Sequence, residues 1–264
     1  KNAASKILLA SLLTDQRCDI SNVPMIGEID IAMDLVRSTG APIERVADRV
    51  VVTASTVSGE SITEQSRRNR LPVLAIGPLL HRSGSARVPR VSGDKIGARP
   101  VNFHVDALRA FGATVEEQPD ALVVRADRLT GAAITLPWPT VGATETILLT
   151  AVLARGTTTL ANAAVEPEIR DLIRFLQKMG AQIRFTGDRS IEIEGVARLK
   201  GADHRVIPDR LEAASFAAAA LATGGDVTLE GTTQDDCMAF LSAVSAMGGG
   251  VEIHDGSIRV WRNG

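Results

Sequence analysis

The chain has 264 residues, is 45% hydrophobic and carries a formal net charge of -2, which is enough apolar material for one large domain or two smaller ones. Aromatic residues make up only 3% of it and Tyr is absent; with the near-neutral charge, this argues against a nucleic-acid partner, which needs stacking surface. No apolar run is long enough for a bilayer, no signal peptide is evident, and Cys18 and Cys237 fit no metal or redox spacing, so a cytoplasmic protein with two buried thiols and no membrane partner is expected.

The chain opens on Lys1-Asn2-Ala3-Ala4, without an initiator Met, directly into a helical pattern over Ala3 to Leu13, and a preceding segment is expected. A strand follows over Cys18 to Val23, and then a helix ending at Ser38-Thr39-Gly40-Ala41. The same ending recurs as Ala110-Phe111-Gly112-Ala113, Lys178-Met179-Gly180-Ala181 and Ala246-Met247-Gly248-Gly249. These glycines are about 70 residues apart, the mark of an internal repeat. Each follows an apolar helix-period run, where a glycine in the left-handed conformation can close the last turn. Alternating strand pairs follow over Val115 to Val124, Gln182 to Glu194 and Val251 to Val260. Two further helix-then-strand pairs precede the later glycines: Glu145 to Leu153 before Thr158 to Asn162, and Leu211 to Leu221 before Val227 to Glu230. The repeating unit therefore reads helix, strand, helix, two strands, with its first helix and strand visible in three of the four copies.

Between Arg67 and Arg99 stand Arg67, Arg68, Arg70, Arg82, Arg87, Arg90, Lys95 and Arg99, against a single acid, Asp94. This local excess implies an anionic partner and isolates one carboxylate among cations, within Ser92-Gly93-Asp94-Lys95-Ile96-Gly97-Ala98-Arg99-Pro100-Val101-Asn102-Phe103-His104. Read alone, Asp94 pairs with Lys95 or Arg99 in a solvated loop, and Asn2 is an ordinary helix-start residue. His104 reads as a structural histidine. Thr140-Val141-Gly142 precedes a helix, where a simple cap by Thr140 or Thr144 and an anion cradle of free N–H groups are both open readings. Trp138 either shields a ligand or packs on the surface. Glu166-Pro167-Glu168 is ordinary helix initiation, and Arg67, Arg68, Arg82, Arg87 and Arg90 are expected as solvated surface charge.

Taken together, Lys1-Asn2-Ala3-Ala4, Gly77-Pro78-Leu79, Gly93-Asp94 with Ile96-Gly97-Ala98-Arg99-Pro100, Val141-Gly142-Ala143-Thr144, Asn162-Ala163-Ala164 with Glu166-Pro167-Glu168, and Pro208-Asp209-Arg210 resemble the enolpyruvyl transferase family, in this order along nearly the whole chain. The resemblance implies an α/β (α+β) fold of repeated βαβαββ units forming an inside-out α/β barrel, with three units in each of two domains. On that plan residues 1–206 form a first domain, and residues 207–264 form the first unit of an incomplete second one. Asp209 and Glu212 would sit at the crossover between them, in a hinge role.

The implied reaction moves the enolpyruvyl group of phosphoenolpyruvate onto the 3-hydroxyl of UDP-N-acetylglucosamine and releases phosphate, in peptidoglycan precursor synthesis. The resemblance implies no metal and no cofactor. Its catalytic residues here would be Asp94, Lys1 and Arg99. Asp94 stands where many members carry a cysteine and would act as general acid; insensitivity to fosfomycin, which alkylates that cysteine, would follow. Lys1, Asn2, Arg70 and Arg99 would bind substrate, Pro100, Val101, Asn102 and Phe103 would hold the uridine, and Thr140, Val141 and Gly142 the diphosphate. Asn102 replaces a common Asp. Because the family's proposed base lies in later units, the 264-residue chain by itself is expected to be inactive. A shikimate 3-phosphate acceptor and a non-catalytic nucleotide-sugar module are the alternatives.

Overall fold

The computed structural model describes residues 1–59, 69–90 and 100–263. The chain forms two compact units, Lys1–Val206 and Ile207–Gly264.

The first unit contains one module three times. Its first copy is α1 (Asn2–Ala10, extended by a 3-10 turn over Ser11–Leu13), β1 (Arg17–Ser21), α2 (Gly27–Ser38), β2 (Ile43–Val46) and β3 (Arg49–Thr53). The second is α3 (Leu71–Ser83), β4 (Ser85–Pro89), α4 (Asn102–Ala110), β5 (Thr114–Glu117) and β6 (Ala121–Arg125). The third begins with a short strand, β7 (Ala133–Thr135), and continues as α5 (Val141–Ala151), β8 (Thr157–Ala161), α6 (Pro167–Lys178), β9 (Gln182–Gly187) and β10 (Ser190–Glu194). The last strand of the unit is β11 (Asp203–Arg205). The second unit is a fourth copy: α7 (Arg210–Thr223), β12 (Asp226–Glu230), α8 (Gln234–Ala246), β13 (Gly249–His254) and β14 (Ser257–Arg262). The helix and strand that begin the second module, absent from the sequence reading, are therefore present in all four.

The repeat glycines behave as their spacing predicts. Gly40, Gly112, Gly180 and Gly248 have φ of 87°, 94°, 102° and 84°, a region that costs glycine nothing and other residues strain. The N–H groups of Gly112 and Ala113 donate to Arg109 O and Leu108 O, and those of Gly180 and Ala181 to Gln177 O and Leu176 O. These bonds satisfy the carbonyls left open at the helix end.

In every module the strand after the first helix pairs antiparallel with the second strand of the hairpin, giving the orders β1-β3-β2, β4-β6-β5, β8-β10-β9 and β12-β14-β13. Two sheets gain a parallel strand at the edge: β7 beside β8, and β11 beside β1. The second pairing joins Asp19 with Asp203 and Ile20 with His204, so the end of the unit returns to its beginning. An asparagine follows each paired strand in the left-handed region, Asn22 at φ 61° and Asn162 at φ 60°. Their Nδ2 groups donate to Val206 O at 2.8 Å and Leu136 O at 2.9 Å, tying down the residue after each edge strand. Asn tolerates this backbone because its short amide bonds locally.

The first helix of each module in this unit is apolar on all sides and buried on all sides. The helix α3 buries every residue from Leu71 to Leu80 and α5 every residue from Ala143 to Ala151. The two approach closely at Gly77, where a Cβ would lie 2.5 Å from Thr150 Oγ1. The second helices are two-faced: α6 buries Ile169, Leu172, Phe175 and Leu176 and exposes Arg170, Arg174 and Lys178. Arg82 corrects its expectation as solvated charge. It is half-buried at the end of α3, donating to Leu12 O at 2.9 Å and Ala54 O at 2.7 Å, and so ties the first two modules together. Arg87 pairs with Asp120 at 3.2 Å. Cys18 and Cys237 are both buried free thiols.

Within the second unit, Ala213, Ala217, Leu229, Cys237, Leu241, Val244, Ile258 and Val260 form the core. The same first helix that is buried all round in the first unit exposes Phe216 and Leu211 here, by 59% and 44%.

Candidate active site

The described candidate residues lie at helix starts in the first unit. Lys1 is the N-cap of α1, Arg70 of α3 and Thr140 of α5, which is one position of the module used three times. The free N–H groups and dipole at such ends favour negative charge, and two of the three caps are cations. Asn2 opens α1 and makes no side-chain cap there, since none bonds the helix start.

Contacts gather most of the remaining candidates into one corner. Arg70 Nη2 donates to Pro100 O at 3.2 Å. Val101 is the N-cap of α4, with Asn102 exposed and Phe103 half-buried in its first turn. The Phe103 ring meets Trp138 edge-on, with centroids 4.9 Å apart and planes at 78°. His104 is buried against the start of α5: its Nδ1 lies 2.7 Å from Thr146 Oγ1, and a Cβ on Gly142 would touch the imidazole. Burial, reinforced by the positive charge of Arg70, lowers its pKa to about 4, so the ring is neutral at pH 7. The structural reading of His104 fits this packing.

At Thr140 the simple cap is observed, with Ala143 N–H donating to Thr140 Oγ1 at 3.2 Å. The Thr144 hydroxyl is also occupied, accepting from Ala164 N–H at 3.0 Å. Among the described residues, the Val141 and Gly142 N–H groups have no acceptor within the protein, and these are the donors an anion would meet. Glu166 and Pro167 initiate α6 as the sequence predicts, and Asp209 caps α7 by accepting from Leu211 N–H at 2.9 Å.

One group escaped the sequence reading. Glu145, one turn into α5, is 3% exposed, and burial pushes its carboxyl up to about 7. Lys6 opposes that shift, while Glu168 and Glu28 reinforce it. Lys6 itself is 3.6 Å from Glu28, which also accepts from Ser5 Oγ at 2.8 Å. The available signal was a lone acid inside an otherwise apolar helical run.

Asp94, Lys95, Arg99, Arg67 and Arg68 lie outside the described residues. Among the described residues no group of three or more His, Cys, Asp or Glu side chains is placed to hold a metal, and no helix is long and apolar enough to cross a membrane.

The arrangement defines a repeat protein with cations and a threonine at its helix starts, groups that favour negative charge. Its fold matches an enolpyruvyl transferase, NikO of Streptomyces tendae, with a TM-score of 0.87 at 22% identity over 99% of this chain and 63% of the other. It also matches EPSP synthase of Acinetobacter baumannii, with a TM-score of 0.74 at 18% identity over 99% and 62%. The family model described as EPSP synthase (3-phosphoshikimate 1-carboxyvinyltransferase) matches residues 1–263. The chain belongs to this family of enolpyruvyl transferases. Among its curated relatives, the protein named UDP-N-acetylglucosamine 1-carboxyvinyltransferase in Protochlamydia amoebophila is 41% identical over all of this chain and 59% of its own length. The protein of that name in Chlamydia abortus is 42% identical over all of this chain and 60% of its own. The chain thus spans about 60% of the length of these relatives.

Proposed function

We propose that the whole protein transfers the enolpyruvyl group of phosphoenolpyruvate to the 3-hydroxyl of UDP-N-acetylglucosamine, and that this chain carries most of the nucleotide-sugar site. The observation that carries the reading is the set of relatives of that name, about 40% identical along the full chain. In the addition, the 3-hydroxyl gives up its proton to a base as its oxygen bonds to C2 of phosphoenolpyruvate, while C3 takes a proton from the general acid. In the elimination, the C2–O bond to phosphate breaks and C3 returns a proton, so that phosphate leaves and the vinyl ether remains. Such a sequence needs a general acid and fixed cations for a phosphate and a carboxylate.

In this proposal Asp94 supplies the proton, and Lys1 and Arg99 hold phosphoenolpyruvate. Asn2 and Arg70 line the sugar side, Pro100 to Phe103 take the uridine, and the Val141 and Gly142 N–H groups take the diphosphate beside Thr140. The clustering of Arg70, Pro100, Phe103 and the start of α5 supports placing uridine and diphosphate together. The setting is the cytoplasm and the path that of cell-wall precursor synthesis, with its links to cell shape and cell division. Titration calorimetry of this chain against UDP-N-acetylglucosamine and shikimate 3-phosphate tests the reading: binding of the sugar nucleotide alone is expected, and preference for shikimate 3-phosphate would overturn it.

The aspartate also sets the response to fosfomycin. A carboxylate is a poorer nucleophile toward its epoxide than a thiolate, and both thiols described are buried. Incubation with fosfomycin should leave the intact mass unchanged; a covalent adduct at Asp94 would overturn the expected insensitivity.

A further inference from the structure

Trp138 is 60% exposed, a large apolar face left to water, yet it is held in place. Phe103 meets it edge-on, the favoured geometry for an aromatic pair, and Pro137 and Pro139 restrict the backbone on either side. Two residues later Thr140 caps α5, and the N–H groups of Val141 and Gly142 follow. On the far side of the α4 turn lies His104, 6% exposed, its Nδ1 engaged by Thr146 and its ring against Gly142. Its Nε2 has no hydrogen-bond partner among the described residues. A flat apolar face, a helix start with free donors and an unused ring nitrogen therefore share one corner. Their common ligand is a planar ring joined to an anion.

We propose that Trp138 is the stacking wall for the base of the bound nucleotide, with Phe103 fixing the plane of the indole. This rests on the sugar-nucleotide reading above and adds a residue to which that reading gave no role. Stacking on an aromatic face tolerates any base, so Trp138 sets how tightly the base is held and leaves its identity to the polar groups near Asn102.

The chain has two tryptophans, Trp138 and Trp261, so Trp261→Phe leaves Trp138 as the sole indole reporter. In that parent, UDP should quench the fluorescence. By calorimetry, Trp138→Ala should bind UDP about 10- to 100-fold more weakly and Trp138→Phe should recover most of the loss, while affinity for inorganic pyrophosphate stays the same in all three. Equal UDP affinity in parent and Trp138→Ala overturns the stacking role alone. Equal weakening of UDP and pyrophosphate also overturns it, by showing that Trp138 only supports the α5 start. Failure of the parent to bind UDP overturns the sugar-nucleotide reading and the wall together.

Discussion

Replacing Asp94 with Asn in the whole protein should lower turnover by about 10²- to 10⁴-fold, the usual contribution of a positioned general acid, and leave UDP-N-acetylglucosamine affinity unchanged. The substitution keeps the size and hydrogen-bonding outline of the side chain and removes its transferable proton. Two opposing effects act on this carboxyl. Any burial would raise its pKa toward what a proton donor needs, whereas the cations that surround it in sequence, Lys95 and Arg99 above all, would lower it. The pH profile of turnover separates them: a fall in rate with rising pH centred above pH 5 in the wild type, missing from the residual activity of the Asn variant, marks burial as the stronger. Phosphate release from phosphoenolpyruvate at saturating sugar nucleotide is the assay, and turnover at the wild-type rate would remove Asp94 from the chemistry.

The second large effect is on stability, and it concerns Glu145. Its carboxyl has an ordinary pKa of 4.5 and sits at about 7 in the fold. The folded protein therefore binds this proton more tightly than the unfolded chain does. The stabilisation is fully present below pH 4.5, declines as pH rises, and is gone above about 7. The gap between the two values corresponds to about 3 kcal/mol. Glu145→Gln keeps the neutral shape at every pH, so relative to wild type it should gain about 3 kcal/mol between pH 4.5 and 8. His104 runs the other way, from 6.5 down to about 4; its contribution is present above pH 6.5 and lost as pH falls through 4. It is common to both proteins and cancels in the comparison. Urea unfolding of both at pH 5 and pH 8 provides the test, and an identical pH dependence would show that Lys6 holds Glu145 ionised.

The sequence disclosed the repeat because the repeat is written in a residue that backbone geometry demands. Gly40, Gly112, Gly180 and Gly248 each close a helix in a conformation other residues avoid, so one letter marks each module. Amphipathic and apolar periods carried most of the helices for the same reason. The α3 helix was hidden because Pro72, Gly77 and Pro78 read locally as breakers. In the fold Pro72 lies in the first turn, where its missing N–H costs nothing, and Gly77 permits the close approach to α5. Three residues are too few for a period, which concealed β7 and β11; their places come from partners far away in the chain.

Side chains were legible where chemistry and sequence neighbourhood coincide and opaque where burial decides. Arg82 belongs to a basic run and looked solvated, yet three-dimensional packing makes it a clamp on carbonyls from the first module. Glu145 looked like one more helix residue, and only its surroundings raise its pKa. The corner proposed for the nucleotide was readable as two motifs, 100–103 and 140–142. That they meet through Phe103 and Trp138 is a property of how α4 and α5 pack.

The pairing of β11 with β1 also bears on how the first unit is made. Asp203 meets Asp19, and Thr14 and Asn22 bond the carbonyls of Leu199 and Val206, contacts that span nearly the whole unit in sequence. Until residues near 205 leave the ribosome, one edge of the first sheet has no partner, and an unpaired edge invites pairing with another chain. Loop closure over such a distance is slow compared with forming a local hairpin. The modules can thus assemble in the order of synthesis, but the first sheet is completed only by the unit's final strand, which makes completion of the unit a late event in the life of the nascent chain.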